Sequence, residues 1–261
     1  MIWVRLAGMR LRSEMQYRAS FGLIVATTFV FSFLEFVAIW VIFGNLDALE
    51  AWSLADVAFL YGTSGVAFNL ANVLVAGVER AAEHLRAGTF DTLLLRPVGT
   101  IVQLSAGDIE LKRVGRLAQA AVVLAVAMAS VEVAWTPLRV LGTAVLLLAG
   151  FAIFGAIWTV AAALGFWTVD NRGIANTFTY AGHKLTQFPL DVFAPWLRGV
   201  VLVVPLAFVN YLPAARILGK EPVYDVPSWL AYASPAVALG LGVVARIVWS
   251  IAIRRHRSTG S

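Results

Sequence analysis

Cysteine is absent from the 261 residues, histidine occurs three times, and charged side chains make up only 13% of the chain. The first absence excludes disulfides, thiolate metal sites and cysteine nucleophiles, and leaves the compartment open. The scarcity of charge, against about 25% in soluble domains, leaves too little polar surface to cover a water-soluble fold. A phosphate-cradling loop is also missing. No stretch reads G-x-x-x-x-G-K followed by serine or threonine, the pattern that lets backbone approach a phosphate and lysine reach its terminal oxygens. The net charge of +5 forms no basic stripe with interleaved aromatics, so nucleic acid is not indicated as a partner. With no internal repeat, low-complexity tract or interdomain linker, residues 1–261 read as a single domain.

What is abundant is apolar: 60% of the residues, arranged in long blocks rather than at the spacing of a one-sided core. A helix crossing a bilayer needs about 20 such residues, because each adds about 1.5 Å towards a hydrocarbon layer about 30 Å thick. Stretches 21–43, 57–78, 117–134, 138–168 and 229–253 qualify, the fourth with length to spare for tilt. Between the last two lie a semi-polar stretch, 173–190, and an apolar one, 196–218, interrupted by Pro205 and Pro213. Six or seven crossings follow from hydropathy alone. The first block carries no charge from 21 to 34 and no small-residue cleavage site, so it is expected to stay in the mature protein.

Charge placement selects between the two counts, since lysine and arginine gather on cytoplasmic loops. Arg5, Arg10, Arg12 and Arg18 precede the first block, and 44–56 holds Asp47, Glu50 and Asp56 with no basic residue. The next loop, 79–116, holds Arg80, Arg86, Arg96, Lys112, Arg113 and Arg116, and the tail 254–261 holds Arg254, Arg255 and Arg257. Both termini are therefore expected in the cytoplasm, which requires an even number of crossings. One doubtful segment must enter and leave by the same face, with its irregular backbone covered by protein or lining a wet cavity. The proline-broken segment is the candidate. The leader, 1–20, is expected as an interfacial helix of imperfect amphipathicity: Arg5, Arg12 and Gln16 share a side, whereas Arg10 and Glu14 do not. The fold class that results is an all-α polytopic membrane protein: six transmembrane helices, an N-terminal interfacial helix, and a re-entrant helical hairpin between the fifth and sixth spans.

Polar residues within this frame carry the candidate chemistry. In 79–116, residues 79–86 suit a helix, Gly88 ends it, and Arg96-Pro97 forces a boundary, giving a short helix across the membrane surface. It is either a docking lever for a cytoplasmic partner or an ordinary solvated loop. Glu35 lies within the first span, where an acidic group is expensive; it meets a cationic amphiphile, sits near the outer interface, or pairs with another subunit. Asn69 and Asn72, three apart on one helical face, either line a pathway or hydrogen-bond between helices. His183 and Lys184 in the semi-polar stretch line a pore or mark a subunit contact.

The run Ala87-Gly88-Thr89-Phe90-Asp91-Thr92-Leu93-Leu94-Leu95-Arg96-Pro97 resembles the first cytoplasmic loop of the membrane-spanning subunits of type 2 ABC transporters. Phe188-Pro189-Leu190, Pro195-Trp196-Leu197-Arg198 and Pro205-Leu206 are similar to the end of that family's fifth helix and its following outer-face hairpin, here 191–218. The likeness extends over nearly the whole chain as diffuse patterns in fixed order. It implies an exporter-like permease that forms half of a dimeric pathway, beside a second permease subunit of the same or a different chain. Two copies of an ATP-binding subunit are implied on the cytoplasmic side, holding ATP and Mg, with no cofactor on this chain. Residues 79–97 then contain the coupling helix, with Glu79, Glu83, Arg86, Gly88, Asp91 and Arg96 as the docking set. Glu35, Asn69, Asn72 and His183 are the pathway set. The cytoplasmic membrane of a prokaryote is the implied location, and an amphiphilic, drug-like or lipid-like molecule the implied cargo, within a lipid surround.

Two rivals come from other classes. Gly62-Thr63-Ser64-Gly65 mimics the G-x-S-G of intramembrane serine proteases, with His183 as base, since serine needs an adjacent base to become nucleophilic. That family places serine and histidine on its fourth and sixth helices, and small residues commonly serve helix packing in membranes. A passive channel or scaffold is the other, and it leaves the long cytoplasmic loop without a driven role.

Overall fold

The structure is a computed structural model, and it describes residues 6, 8–9, 12, 18–44, 52–108, 112–168, 177–223 and 226–255. All regular structure among the described residues is helical. Most of the expected interfacial helix over 1–20 lies outside the described residues, as do Asp47, Glu50 and Arg257.

Among the described residues five helices are long and apolar enough to cross a membrane: α1 (Arg18–Gly44), α2 (Leu54–Leu74), α6 (Lys112–Ser130), α7 (Pro137–Leu164) and α11 (Ser234–Arg255). Their ends follow from local chemistry. Ser53 and Asp56 form a reciprocal capping box at the start of α2, each side chain accepting from the other's backbone N–H. Thr136 caps α7 through the Arg139 N–H, and Pro137 occupies the first turn, where its missing N–H costs nothing. Relative to the sequence reading, α6 begins and ends several residues earlier, because Ser130 is followed by a turn that leads to Thr136-Pro137.

The helices pack as a row in the order α1, α6, α2, α7, α11. The central member, α2, carries Thr63, Ser64, Asn69 and Asn72 and buries all four; a helix with polar side chains in its apolar run gains by turning them away from lipid. Close approach of α2 to α6 depends on two glycines. A Cβ on Gly62 would lie 2.7 Å from the Leu124 Cα, and one on Gly65 would lie 2.9 Å from the Ala120 Cβ.

Two segments depart from plain crossings. The fifth crossing expected over 173–190 is not a single α-helix: a π-helical turn, Thr177–Ala181, runs into the five-residue α8 (Gly182–Thr186), and residues 169–176 lie outside the described residues. Helix ends at Thr186 because Pro189 disfavours the α conformation in the residue before it. Beyond it, α9 (Pro195–Val203) meets the stretch containing α10 (Tyr211–Leu218) at a 79° bend at Val204-Pro205. That bent pair occupies the place expected for the re-entrant hairpin, and it brings the count of candidate crossings to six if read as one span. Asn210, fully buried beside the bend, donates to the carbonyls of Leu60 (2.8 Å) and Thr186 (3.0 Å) and accepts from Thr63 Oγ1 (2.7 Å), which ties the hairpin to α2 and α8.

Between α2 and α6 the chain makes a 3₁₀ turn, Ala76–Arg80, and three short helices: α3 (Ala81–Arg86), α4 (Phe90–Leu94) and α5 (Thr100–Gly107). Gly88 joins α3 to α4 at φ +65°, the left-handed region that glycine tolerates.

Candidate functional site

A cavity of about 590 Å³ opens between α1, α2, α6 and α8. Its lining includes Glu35 of α1, Asn69 of α2, and His183 and Lys184 of α8, so three of the four pathway residues read from sequence converge on one space. Asn72 is not in the lining; its side chain donates to the Tyr180 hydroxyl at 3.4 Å, next to the cavity. Asn69 donates to the Gly65 carbonyl of its own helix at 2.8 Å.

Polar groups stand among aromatic and small apolar ones in the lining of this cavity. Arg116 and Gln119, three apart on α6, share one face near the start of that helix, and Tyr61, Tyr180 and Gln187 add hydrogen-bonding groups. Reading the sequence by apolar blocks counts Arg116 only among the basic residues of loop 79–116 and names none of these five as a site residue. The position of Arg116 and Gln119 on one helical face was their only advance signal. Lys184 Nζ donates to Glu35 Oε2 at 2.8 Å, an ion pair that reaches from α1 to α8 with both side chains more than half exposed. Glu35 therefore has a cationic neighbour within the chain.

Ser64 and His183, the protease pair, do lie together: Ser64 Oγ is 3.2 Å from His183 Nδ1. Ser64 Oγ also lies 2.6 Å from Thr186 Oγ1, which donates to the His183 carbonyl at 2.8 Å, so the serine hydroxyl is shared between two side chains of α8. His183 also stacks on Phe68, with ring centroids 3.9 Å apart and planes 2° from parallel, and Ser64 is fully buried mid-helix. The pair is an interhelical bond between α2 and α8.

The short helices α3, α4 and α5 are fastened from beneath. Phe90 and Leu93 of α4 are buried, and Phe90 meets Phe166, just past α7, edge-on at 5.1 Å. Phe166 in turn meets Trp249 of α11 at 5.7 Å, and Trp249 Nε1 donates to Thr100 Oγ1 at 3.0 Å. Gln103 Nε2 donates to the carbonyls of Leu93 (2.9 Å) and Val98 (2.6 Å), joining α5 to the end of α4. Asp108 binds both Arg80 (2.7 Å) and Arg113 (3.0 Å), and Arg113 donates to the Asn72 carbonyl at 2.9 Å. The short helices are thereby linked to the neighbouring ends of α2, α6, α7 and α11.

Of the docking residues read from sequence, Glu83, Arg86, Gly88 and Arg96 are exposed and Asp91 is half-buried. Glu79 turns inward to accept from Trp158 Nε1 of α7, and burial raises its carboxyl above the ordinary value, a shift partly offset by that bond and by the Arg113 charge. Leu95, 85% exposed beside Arg96, was not singled out by the sequence reading. No group of three or more histidine, aspartate or glutamate side chains suited to a metal occurs among the described residues.

The family described as ABC-2 family transporter protein matches residues 29–260. It is a family of membrane subunits whose ATPase is a separate part of the transporter. No curated protein matches the chain, and no solved structure does.

Proposed function

The chain belongs to the ABC-2 transporter family, and from that membership we propose that it is the permease subunit of an ATP-driven exporter. In this reading it supplies half of a dimeric pathway for an amphiphilic, drug-like or lipid-like molecule. The observation that carries the reading is the polar cavity within an apolar helical row, into which Glu35, Asn69 and His183 converge. A space that offers charge and hydrogen bonds beside aromatic walls suits a molecule with a polar head and an apolar body. Both termini and the short helices face the cytoplasm of a prokaryotic cell, with the acidic loop before α2 and the bent pair α9–α10 outside.

The coupling surface is the face that carries Glu83, Arg86, Asp91, Leu95 and Arg96. Gly88 shapes its turn and Glu79 fastens its root to α7. Two ATP-binding subunits, holding ATP and Mg, dock there, and the second permease is another copy or a related chain. The test is affinity purification from the native membrane with identification of stoichiometric companions and an ATPase assay. A stoichiometric ATP-hydrolysing companion is expected; purification without one rejects an ATP-driven permease.

Two substitutions separate this reading from its rivals. Ser64→Ala removes an interhelical hydrogen bond worth about 1 kcal/mol and is expected to leave probe efflux within about twofold of the parent. Complete loss of activity in a folded, membrane-inserted variant supports the protease instead. Glu35→Gln breaks the ion pair with Lys184 and lowers the negative charge of the cavity. Efflux of a cationic fluorescent amphiphile is expected to fall by up to about fivefold, the equivalent of about 1 kcal/mol for an open ion pair, with a neutral analogue less affected. Equal efflux of both probes by parent and variant removes Glu35 from the pathway.

A further inference from the structure

At the α11 end of the row, and sharing no lining residue with the first cavity, α7 and α11 border a second groove of about 940 Å³. Small residues hollow it out: Ala152, Gly155 and Ala156 on α7 face Ala238, Gly242 and Ala245 on α11. At its cytoplasmic end it is bounded by Leu94 and Val98 of the loop and by Ile253, the residue before Arg254 and Arg255. The groove is apolar apart from a few groups, of which Arg246 is the charged one.

Arg246 lies nine residues before Arg255 on a continuous helix, which places its Cα about 13 Å deeper along the axis. It is exposed and has no ion-pair partner among the described residues. A guanidinium at that depth is costly unless it meets an anion or reaches the interface, and its aliphatic stem lets it extend towards the headgroups. Basic pockets between transmembrane helices on the cytoplasmic side suit anionic lipid heads.

We propose that the α7–α11 groove is a binding site for an anionic glycerophospholipid of the cytoplasmic leaflet, its acyl chain along the small-residue furrow and its phosphate on Arg246. Charge complementarity selects this occupant, since the groove offers a cation at its polar point and an apolar floor elsewhere. The site is separate from the transport cavity and does not rest on the exporter reading.

The test uses the full chain purified in detergent, with phosphatidylglycerol or phosphatidylcholine added in mixed micelles. Retained lipid is read by native mass spectrometry and stability by thermal unfolding. The parent is expected to retain phosphatidylglycerol in preference and to gain several degrees of melting temperature from it over phosphatidylcholine. Arg246→Gln is expected to lower that preference about tenfold, as for loss of one charge-assisted hydrogen bond. Gly242→Leu tests the furrow independently. A Cβ at Gly242 meets nothing within 4 Å, so the leucine enters open space, fills the groove and leaves Arg246 in place. Loss of lipid retention in this variant with unchanged folding is the expected result, and it carries the test if Arg246→Gln fails to fold. Equal response to the two lipids, or a phosphatidylglycerol preference that survives either substitution, overturns the site. So does a Gly242→Leu chain that loses self-association while it keeps its lipid, which assigns the groove to a second copy.

Discussion

Reversing Glu83 and Asp91 together to lysine is expected to strip the ATP-binding subunit from the permease while leaving the permease folded. Both residues lie on the exposed or half-exposed side of the short helices, whereas the buried side is held by Phe90, Leu93 and the bonds from Gln103. The body of the loop therefore has its own anchor. Placing like charge against a surface built to meet carboxylates costs several kcal/mol, so recovery of the companion should fall tenfold or more, each factor of ten being about 1.4 kcal/mol. Transport should fall with it. Co-purification under matched detergent and salt, with the melting temperature of the permease alone as control, reads both effects. An undiminished yield of a coupled complex would remove this face as the docking surface, and a collapsed melting temperature would mean that the two carboxylates serve the fold.

The second large effect belongs to the interface between α2 and α6. Gly62→Val introduces a branched side chain whose first atom would stand 2.7 Å from the Leu124 Cα and 2.8 Å from its nitrogen. Backbone cannot rotate aside as a side chain can, so the helices must separate, at a cost of about 1–3 kcal/mol or more. Separation also disturbs Tyr61, Gly65 and Gln119, which line the cavity between α1, α2, α6 and α8 at that seam. A fall in melting temperature of several degrees and loss of efflux are expected. Gly240→Ala is the matched comparison: a Cβ there meets nothing within 4 Å, and an alanine in a helix interior gains roughly 0.5–1 kcal/mol over glycine. If Gly62→Val melts with the parent, close approach of α2 and α6 is not what holds the row together.

The motif that invited a protease reading shows where sequence reasoning reached its limit. Gly62-Thr63-Ser64-Gly65 does place a serine near His183, as the spacing allowed. Its glycines, however, face α6, its threonine bonds Asn210 of the hairpin, and its serine bonds Thr186, so all four residues serve contacts between segments. Nothing in a four-residue string distinguishes a nucleophile from a packing device, because the distinction lies in what stands across the interface. The semi-polar stretch 173–190 is a related case. Its composition set it apart from its neighbours, but the π-helical turn and the stop before Pro189 are matters of local hydrogen bonding that hydropathy does not register.

The order of apolar blocks, the break at Pro205, the turn at Gly88 and the membrane as solvent were determined by the sequence itself. Each depends on local composition or on a single residue's backbone chemistry. Which helix became the centre of the row, that Glu35 meets Lys184, that Arg116 and Gln119 join them, and that Arg246 lines a groove without an acidic partner among the described residues were decided only by tertiary structure. Those facts join residues as far as 149 positions apart, and the pairing is set by which faces of the helices fit closely together, a property of shape in three dimensions that one helix's own periodicity does not encode.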